Sequence, residues 1–226
     1  FERRCVNWNL TKPFGAVRPA PDNSFSFLSS AFLNFKEDEK FKKFIENKNI
    51  SDYAEFKYYI QKYKSIDDIF ALAEERGEVP FILIADEIED PHNLGAIIRT
   101  AEAAGVHGII IPKRRSASLN YTVGKTSAGA LEYMKVARVP NLSATLDELK
   151  EKGMWVYGAD MDGEDIRSVN LDGAAVLVIG SEGDGMSRIV REKCDFIVSL
   201  KMKGQINSLN ASVAGGILMY EFAYKR

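Results

Sequence analysis

The chain has 226 residues, 46% of them hydrophobic, and its 30 basic and 32 acidic side chains leave a formal net charge of −2. This length can bury one good core and a small second unit, and the near balance of charge excludes the overall basic excess of many nucleic-acid binders. No apolar run approaches the roughly 20 residues that span a bilayer, and no signal-peptide leader is recognisable. Cys5 and Cys194 match neither a metal site nor a disulfide framework. We therefore expect a globular cytoplasmic protein with no membrane partner and no metal.

The sequence changes character near residue 78, where a charged, aromatic-rich part gives way to alternating apolar segments. This change predicts a small N-terminal unit over residues 1–77 and a larger domain over residues 78–226. The role of the N-terminal unit is left open.

The N-terminal unit contains helical spacing of apolar side chains. This spacing predicts amphipathic helices over 35–47 and 52–63. Their aromatic stripes are more typical of a core than of an RNA platform. A third helix is predicted to start after Ser65, which has capping-box spacing to Asp68, and to stop at Gly77.

The larger domain alternates strands with helices. Strands are predicted over 81–86, 106–111, 133–139, 154–160, 175–180 and 195–200, and helices over 93–104, 122–131, 143–152, 187–193 and from 208 onwards. Short runs such as FILIA and AVLVIG are typical of strands buried on both faces, so we predict an α/β fold with a mainly parallel sheet covered by helices. Ligands of such sheets gather beyond the carboxyl ends of the strands. The loops after residues 86, 180 and 200 are therefore the candidate site.

The first of these loops reads DPHNLG at 90–95. The pattern predicts Asn93 as the N-cap of the next helix, with Arg99 in the second turn. Capping and a surface ion pair would explain both side chains. An amide and a guanidinium at the ligand end of a sheet also suit a binding site, so both interpretations stay open.

The other two loops are equally ambiguous when taken alone. The loop at 180–185 reads GSEGDG, whose glycines suit either a plain turn or close backbone approach to a ligand. After residue 200, Ser208 could cap the last helix while Asn210 satisfies backbone groups. The alternative is a narrow slot for an adenosine group beside these polar residues.

Taken together, these segments resemble the three ordered motifs of the SpoU (TrmH) methyltransferases. The matching runs are DPHNLGAIIRTA at 90–101, GSEG at 180–183, and MKG at 202–204 with SLNAS at 208–212, and KTSAGALE at 125–132 is also similar. Residues 81–226 most resemble bacterial 23S ribosomal RNA guanosine 2′-O-methyltransferases.

This resemblance implies S-adenosylmethionine-dependent methylation of a ribose 2′-hydroxyl in RNA, within rRNA processing. It also implies a C-terminal trefoil knot of the SPOUT type and a homodimer with a shared active site, although general topology rules argue against knots. The implied cofactor contacts are Gly180, Leu200 and Leu209, with Met202 and Ser208 nearby. The implied catalytic or supporting residues are Arg99, Asn93, Glu182 and Asn210.

Two features bear on RNA and on the chemistry. Lys113, Arg114 and Arg115 form a compact basic tract, which is either a solvated turn or, as the resemblance implies, a phosphate contact.

The counterpart of Arg99 is the family's proposed base. Because a guanidinium holds its proton strongly, the alternative role is to hold a phosphate and stabilise the developing alkoxide.

The sequence also departs from the family pattern. Residues 1–64 do not resemble the substrate-binding domain of the ribosomal RNA enzymes, and Lys201 stands where proline is common. Two other classes remain as alternatives. A non-catalytic knotted RNA-binding protein would bind RNA without turnover, whereas an α/β enzyme acting on a small nucleotide would need no RNA.

Overall fold

A computed structural model gives the protein's structure over residues 63–225. The helix predicted over 35–47 lies outside these described residues, as does nearly all of the one predicted over 52–63. Within residues 63–225, no helix is both long enough and apolar enough to cross a membrane.

Six parallel strands form one sheet with helices on both faces. The strands are β1 (Phe81–Ala85), β2 (Gly108–Pro112), β3 (Lys135–Val139), β4 (Trp155–Asp165), β5 (Ala175–Ile179) and β6 (Phe196–Ser199). The helices are α1 (Ile66–Arg76), α2 (Pro91–Ala103), α3 (Tyr121–Thr126), α4 (Leu142–Glu151), α5 (Arg188–Glu192) and α6 (Ala211–Tyr224), with a 3₁₀ turn at Ala130–Glu132. The strand order is β3-β2-β1-β5-β4-β6, and every pairing is parallel. The predicted α/β fold with a parallel sheet is confirmed.

The two central strands, β1 and β5, are buried along their whole length. Their side chains alternate between two apolar layers, since successive residues of a strand point to opposite faces. One layer includes α2 and α6 and the other includes α1 and α4. Each fully buried Leu or Ile stabilises the fold by roughly 1.5–3 kcal/mol. The rigid centre of the sheet therefore supports the loops that follow β1 and β5.

Helix α1 begins and ends as its sequence predicts. The Ser65 hydroxyl accepts a hydrogen bond from the Asp68 amide at 3.1 Å, and the Asp68 carboxylate accepts one from the Ser65 amide at 2.7 Å. Gly77 ends the helix with a φ of 64°. On the sheet side, Ile69 packs so closely on Gly108 that a Cβ there would lie 2.4 Å from Ile69 Cγ1. Helix α1 therefore packs directly against the sheet.

Two elements end about five residues away from their predicted boundaries. The helix predicted over 122–131 ends at Thr126, because Ala128 and Gly129 take positive φ angles of 51° and 91°. Strand β4 continues to Asp165 instead of ending at residue 160. Its extra residues pair with β6 after a register shift, which adds a bulge that local alternation does not reveal.

Candidate active site

Polar loops meet in a cleft at the carboxyl ends of β1 and β5. The cleft has a volume of about 320 Å³ and is lined by Glu87, Ile88, Glu89, Asp90, Asn93, Ser181, Glu182, Asp184 and Ala211. These residues come from the loop after β1, the start of α2, the loop after β5 and the start of α6. The cleft thus lies where an open α/β sheet usually binds its ligand.

The start of α2 differs from the prediction. Asp90, not Asn93, is the N-cap, and its carboxylate accepts a hydrogen bond from the His92 amide at 2.9 Å. Pro91 occupies the first helical position, which suits a residue without an N–H group. Because the helix starts before Asn93, the Asn93 side chain does not cap α2. For the same reason Arg99 lies in the third turn of the helix and not in the second.

Asn93, Glu182 and Asn210 form a closed ring of hydrogen bonds, which we call the amide–carboxylate ring. Asn93 Nδ2 donates to Glu182 Oε1 at 2.8 Å, and Asn210 Nδ2 donates to Asn93 Oδ1 at 3.0 Å. Asn210 Nδ2 also donates to Glu182 Oε1, closing the ring. The three predicted site residues, far apart in sequence, are therefore brought together.

The ring also fixes the start of α6. Asn210 is the N-cap of α6, and its Oδ1 accepts hydrogen bonds from the amides of Ser212 at 3.0 Å and Val213 at 3.3 Å. The interpretation of Ser208 as the cap is therefore wrong. Because Asn210 uses its oxygen for the helix and its nitrogen for the ring, it ties α6 to both other loops.

The cleft is strongly acidic. Five of its lining residues carry carboxylates: Glu87, Glu89, Asp90, Glu182 and Asp184.

Arg115 Nη1 donates to Glu87 Oε1 at 2.9 Å, and this hydrogen bond raises the pKa of Arg115 above its ordinary value. Glu87 and Arg115 both have positive φ angles, 56° and 53°, which is uncommon for residues other than glycine. The predicted RNA-binding tract therefore contacts the edge of the cleft.

Arg99 does not join the amide–carboxylate ring. It is exposed on α2, and the structure gives it no side-chain hydrogen bond or ion pair within residues 63–225. Its helix neighbours Ala96 and Thr100 line an apolar groove of about 650 Å³ between α2 and α6. The groove is also lined by Val213, Ile217, Tyr220 and Tyr224, each between 38% and 82% exposed. Arg99 thus lies at the margin of this α2–α6 groove.

None of the five predicted cofactor residues lines the cleft. Gly180 follows β5 and packs against the backbone of Gly185, and Leu200 follows β6 and packs on the core. Met202, Ser208 and Leu209 lie on the exposed segment 201–210. Their role as cofactor contacts stays a prediction.

The predicted RNA-binding residues lie on the exposed loop after β2. Lys113 and Arg114 are exposed, and the Lys113 carbonyl accepts a hydrogen bond from Arg138 Nη2 at 2.9 Å. Sequence reasoning did not select Arg138, whose guanidinium also lies over the Tyr63 ring at 5.3 Å. The loop at 113–115 is therefore held by Arg138 at Lys113 and by Glu87 at Arg115.

Sequence reasoning also missed Asp86, which is 3% exposed and lies directly after β1. A carboxylate following an entirely apolar strand is a signal that could have been noticed, because charged groups are rarely buried without partners. Over the part of the chain that the structure describes, no group of three or more His, Cys, Asp or Glu side chains is arranged to hold a metal ion.

A parallel sheet with helices on both faces and a polar cleft at its strand ends defines a ligand-binding α/β domain. Residues 80–220 match the SpoU rRNA Methylase family. The chain belongs to this family, which uses S-adenosylmethionine.

Relatives and solved structures agree with this assignment. The TrmH family protein YacO of Bacillus subtilis (strain 168), named as a tRNA/rRNA methyltransferase, is 57% identical over 166 residues, which are 73% of this chain and 67% of YacO. The SpoU methyltransferase AviRb from Streptomyces viridochromogenes, crystallised with AdoMet, is 27% identical with a TM-score of 0.65 over 73% of this chain. The A. aeolicus TrmH/SpoU tRNA modifying enzyme is 29% identical with a TM-score of 0.61, covering 66% of this chain and 76% of its own. This chain spans 63% of AviRb, less than two thirds of its length.

Proposed function

We propose that this protein transfers a methyl group from S-adenosylmethionine to a ribose 2′-hydroxyl in RNA, with a guanosine of 23S ribosomal RNA as the target. The domain over residues 78–226 carries the reaction. The observation that supports this most is the amide–carboxylate ring, which joins all three family motifs at one cleft. The N-terminal unit over residues 1–77 is proposed to influence the choice of RNA.

We propose that the cleft and the segment after β6 together hold S-adenosylmethionine. This cofactor is cationic at its sulfur and at its amino group, and five carboxylates line the cleft. The exposed apolar side chains of Met202 and Leu209, on the segment after β6, are suited to cover its adenosine part. When bound, S-adenosylmethionine supplies a methyl group that is already activated for transfer. Gly180, Leu200 and Ser208 complete the proposed contacts.

The protein's own residues must align the ribose and stabilise the charge that develops on its 2′-oxygen. A hydroxyl is a weak nucleophile, so its placement accounts for much of the rate. We assign to Arg99 the binding of a neighbouring phosphate and the stabilisation of the developing alkoxide, because a guanidinium is a strong double donor to oxyanions. Asn93, Glu182 and Asn210 hold the walls of the cleft in place.

Arg99 does not line the cleft of its own chain, and we propose a homodimer in which it serves a shared site. The α2–α6 groove exposes apolar side chains, including Val213 at 50% and Ile217 at 40%. A second copy seated on this groove would cover them and would meet Arg99 at its margin. Sedimentation of the Ile217→Arg variant should show a monomer where the unmodified chain is a dimer.

We further propose a trefoil knot at the C-terminal end. Strand β6 lies at one edge of the sheet, and the chain returns from it through residues 200–210 to α6, which packs on α2 and β5. The knot would form if residues 200–210 thread through the loop at 180–187 before α6 begins. Family membership supports this route.

Lys113 and Arg114 are proposed to bind RNA phosphates, together with Arg115 at the rim of the cleft. Neutralising phosphates with these side chains would make RNA affinity depend on salt. A chain with an overall charge of −2 needs such a local basic surface to bind RNA.

The test is methyl transfer from labelled S-adenosylmethionine to unmodified 23S ribosomal RNA and to tRNA, with mass-spectrometric mapping. Labelling of one site that disappears in Arg99→Ala supports the proposal. RNA binding without transfer would favour the non-catalytic alternative, and transfer to free nucleotides would favour the small-nucleotide enzyme.

A further inference from the structure

Asp86 is a buried carboxylate outside the three family motifs. It lies directly after β1, and its own amide donates to the Ile179 carbonyl at the end of β5 at 2.9 Å. No ion pair to Asp86 occurs among the described residues. A buried carboxyl group is costly unless hydrogen bonds compensate it. The buried position of Asp86 therefore requires hydrogen-bond partners.

Its partner is Ser187, at the end of the loop that carries Glu182. Asp86 Oδ2 accepts hydrogen bonds from both the Ser187 amide and the Ser187 hydroxyl, each at 2.8 Å. Hydrogen bonds to an ionised acceptor are roughly twice as strong as neutral ones. The carboxylate thus fixes the exit of this loop to the end of β1.

The rest of the loop is closed tightly on itself. Ser181 and Gly185 exchange two backbone hydrogen bonds, at 3.0 and 3.2 Å. A Cβ on Gly180 would lie 2.1 Å from the Gly185 carbonyl carbon, so the two ends of the turn touch. Met186, between Gly185 and Ser187, is 5% exposed. The turn is therefore held together by its own backbone contacts, and Ser187 joins it to the end of β1.

We infer that Asp86 is a positioning residue, which holds the turn at 181–187 through Ser187 and thereby places Glu182 in the amide–carboxylate ring. This inference rests on the proposed methyl transfer, because the consequence of misplacing Glu182 is a loss of that reaction. Asp86 itself does not line the cleft. Its effect on the reaction passes entirely through the loop.

The test compares Asp86→Ala, Asp86→Asn and Ser187→Ala with Asp67→Ala, an exposed carboxylate on α1. Asp86→Ala removes Oδ2, the acceptor of both hydrogen bonds from Ser187, and a displacement of about 1 Å can lower a rate about 100-fold, so we expect kcat to fall at least tenfold. Asp86→Asn keeps one acceptor oxygen and should recover most of kcat. Ser187→Ala keeps the amide donor and should be intermediate. Asp67→Ala should match the unmodified chain.

Hydrogen exchange of the free protein gives a second readout that needs neither cofactor nor RNA. Amides at 181–187 should exchange faster in Asp86→Ala, while those of β1 and β5 stay protected. Unchanged protection at 181–187, or a uniform loss of protection across residues 63–225, would overturn the inference. If the unmodified chain transfers no methyl group, the proposed function fails, but the exchange of 181–187 still shows whether Asp86 holds the loop.

Discussion

Asn93 donates a hydrogen bond to Glu182 at 2.8 Å across 89 positions of sequence. This contact joins the helix after β1 to the loop after β5, and Asn210 adds the start of α6 to the same pair. Each amide uses both its donor and its acceptor, so the ring specifies one arrangement of three loops. The cleft therefore depends on contacts that no single loop can make alone.

Replacing Glu182 should separate the three loops. In Glu182→Ala, Asn93 and Asn210 lose their common acceptor, and we expect methyl transfer to fall about 100-fold through misplacement of the cleft walls. Glu182→Gln keeps one acceptor oxygen and should lose less. The rates are compared with Glu151→Ala, an exposed carboxylate on α4. A wild-type rate in Glu182→Ala would show that the ring is dispensable.

Two glycines of the same loop should differ in their response to alanine. A Cβ on Gly180 would meet the backbone of Gly185 and Met186 at 2.1 and 2.2 Å, whereas a Cβ on Gly183 meets nothing within 4 Å. We expect Gly180→Ala to lower the free energy of unfolding by about 1–3 kcal/mol and Gly183→Ala to change it by less than about 0.5 kcal/mol. Urea denaturation measures both. Equal midpoints for the two variants would contradict the packing described.

The apolar strands could be predicted from sequence because burial on both faces leaves a continuous apolar run, as in β1 and β5. The start of α1 was also readable, since its capping box is local. The hydrogen-bonding role of Asn93 could not be predicted from local spacing, because it depends on Glu182. The extension of β4 could not be predicted either, because it depends on pairing with Val198 in β6. Long-range partners decide such features, and local spacing does not contain them.

Cys194 should be a poor nucleophile. Burial raises the pKa of its thiol to about 12, and its Sγ donates to the Val190 carbonyl at 3.4 Å. Because the thiolate is the reactive form, alkylation of Cys194 at pH 8 should be much slower than that of an unfolded cysteine. The Cys5→Ser variant isolates this thiol, and mass spectrometry follows its labelling. Fast labelling of the folded protein would show that the thiol is not protected.

His107 should make stability depend on pH. The histidine is 2% exposed, Phe81 donates its amide to Nδ1 at 3.0 Å, and Nε2 donates to Glu78 at 3.0 Å. Desolvation lowers the pKa of His107 below 6.5, although Glu78 opposes this shift. The unfolded chain therefore binds the proton more readily, and the free energy of unfolding should fall as the pH drops below about 6.5.

The chain's other histidine provides the matched control for this effect. His107→Gln should flatten the pH dependence of the unfolding free energy between pH 5 and 7, in roughly the range where a free histidine titrates. His92→Gln, at an exposed position, should not change it. Parallel profiles for the two variants would remove His107 as the cause.

The most direct test of the central claim is where the methyl group ends up on the RNA. RNA labelled by the full chain with S-adenosylmethionine is hydrolysed in alkali, which cleaves next to every free 2′-hydroxyl. Ribose methylation predicts that the label is recovered in an alkali-resistant dinucleotide and is lost with Arg99→Ala. Label recovered in single nucleotides would place the methyl group on a base and would contradict the proposed reaction.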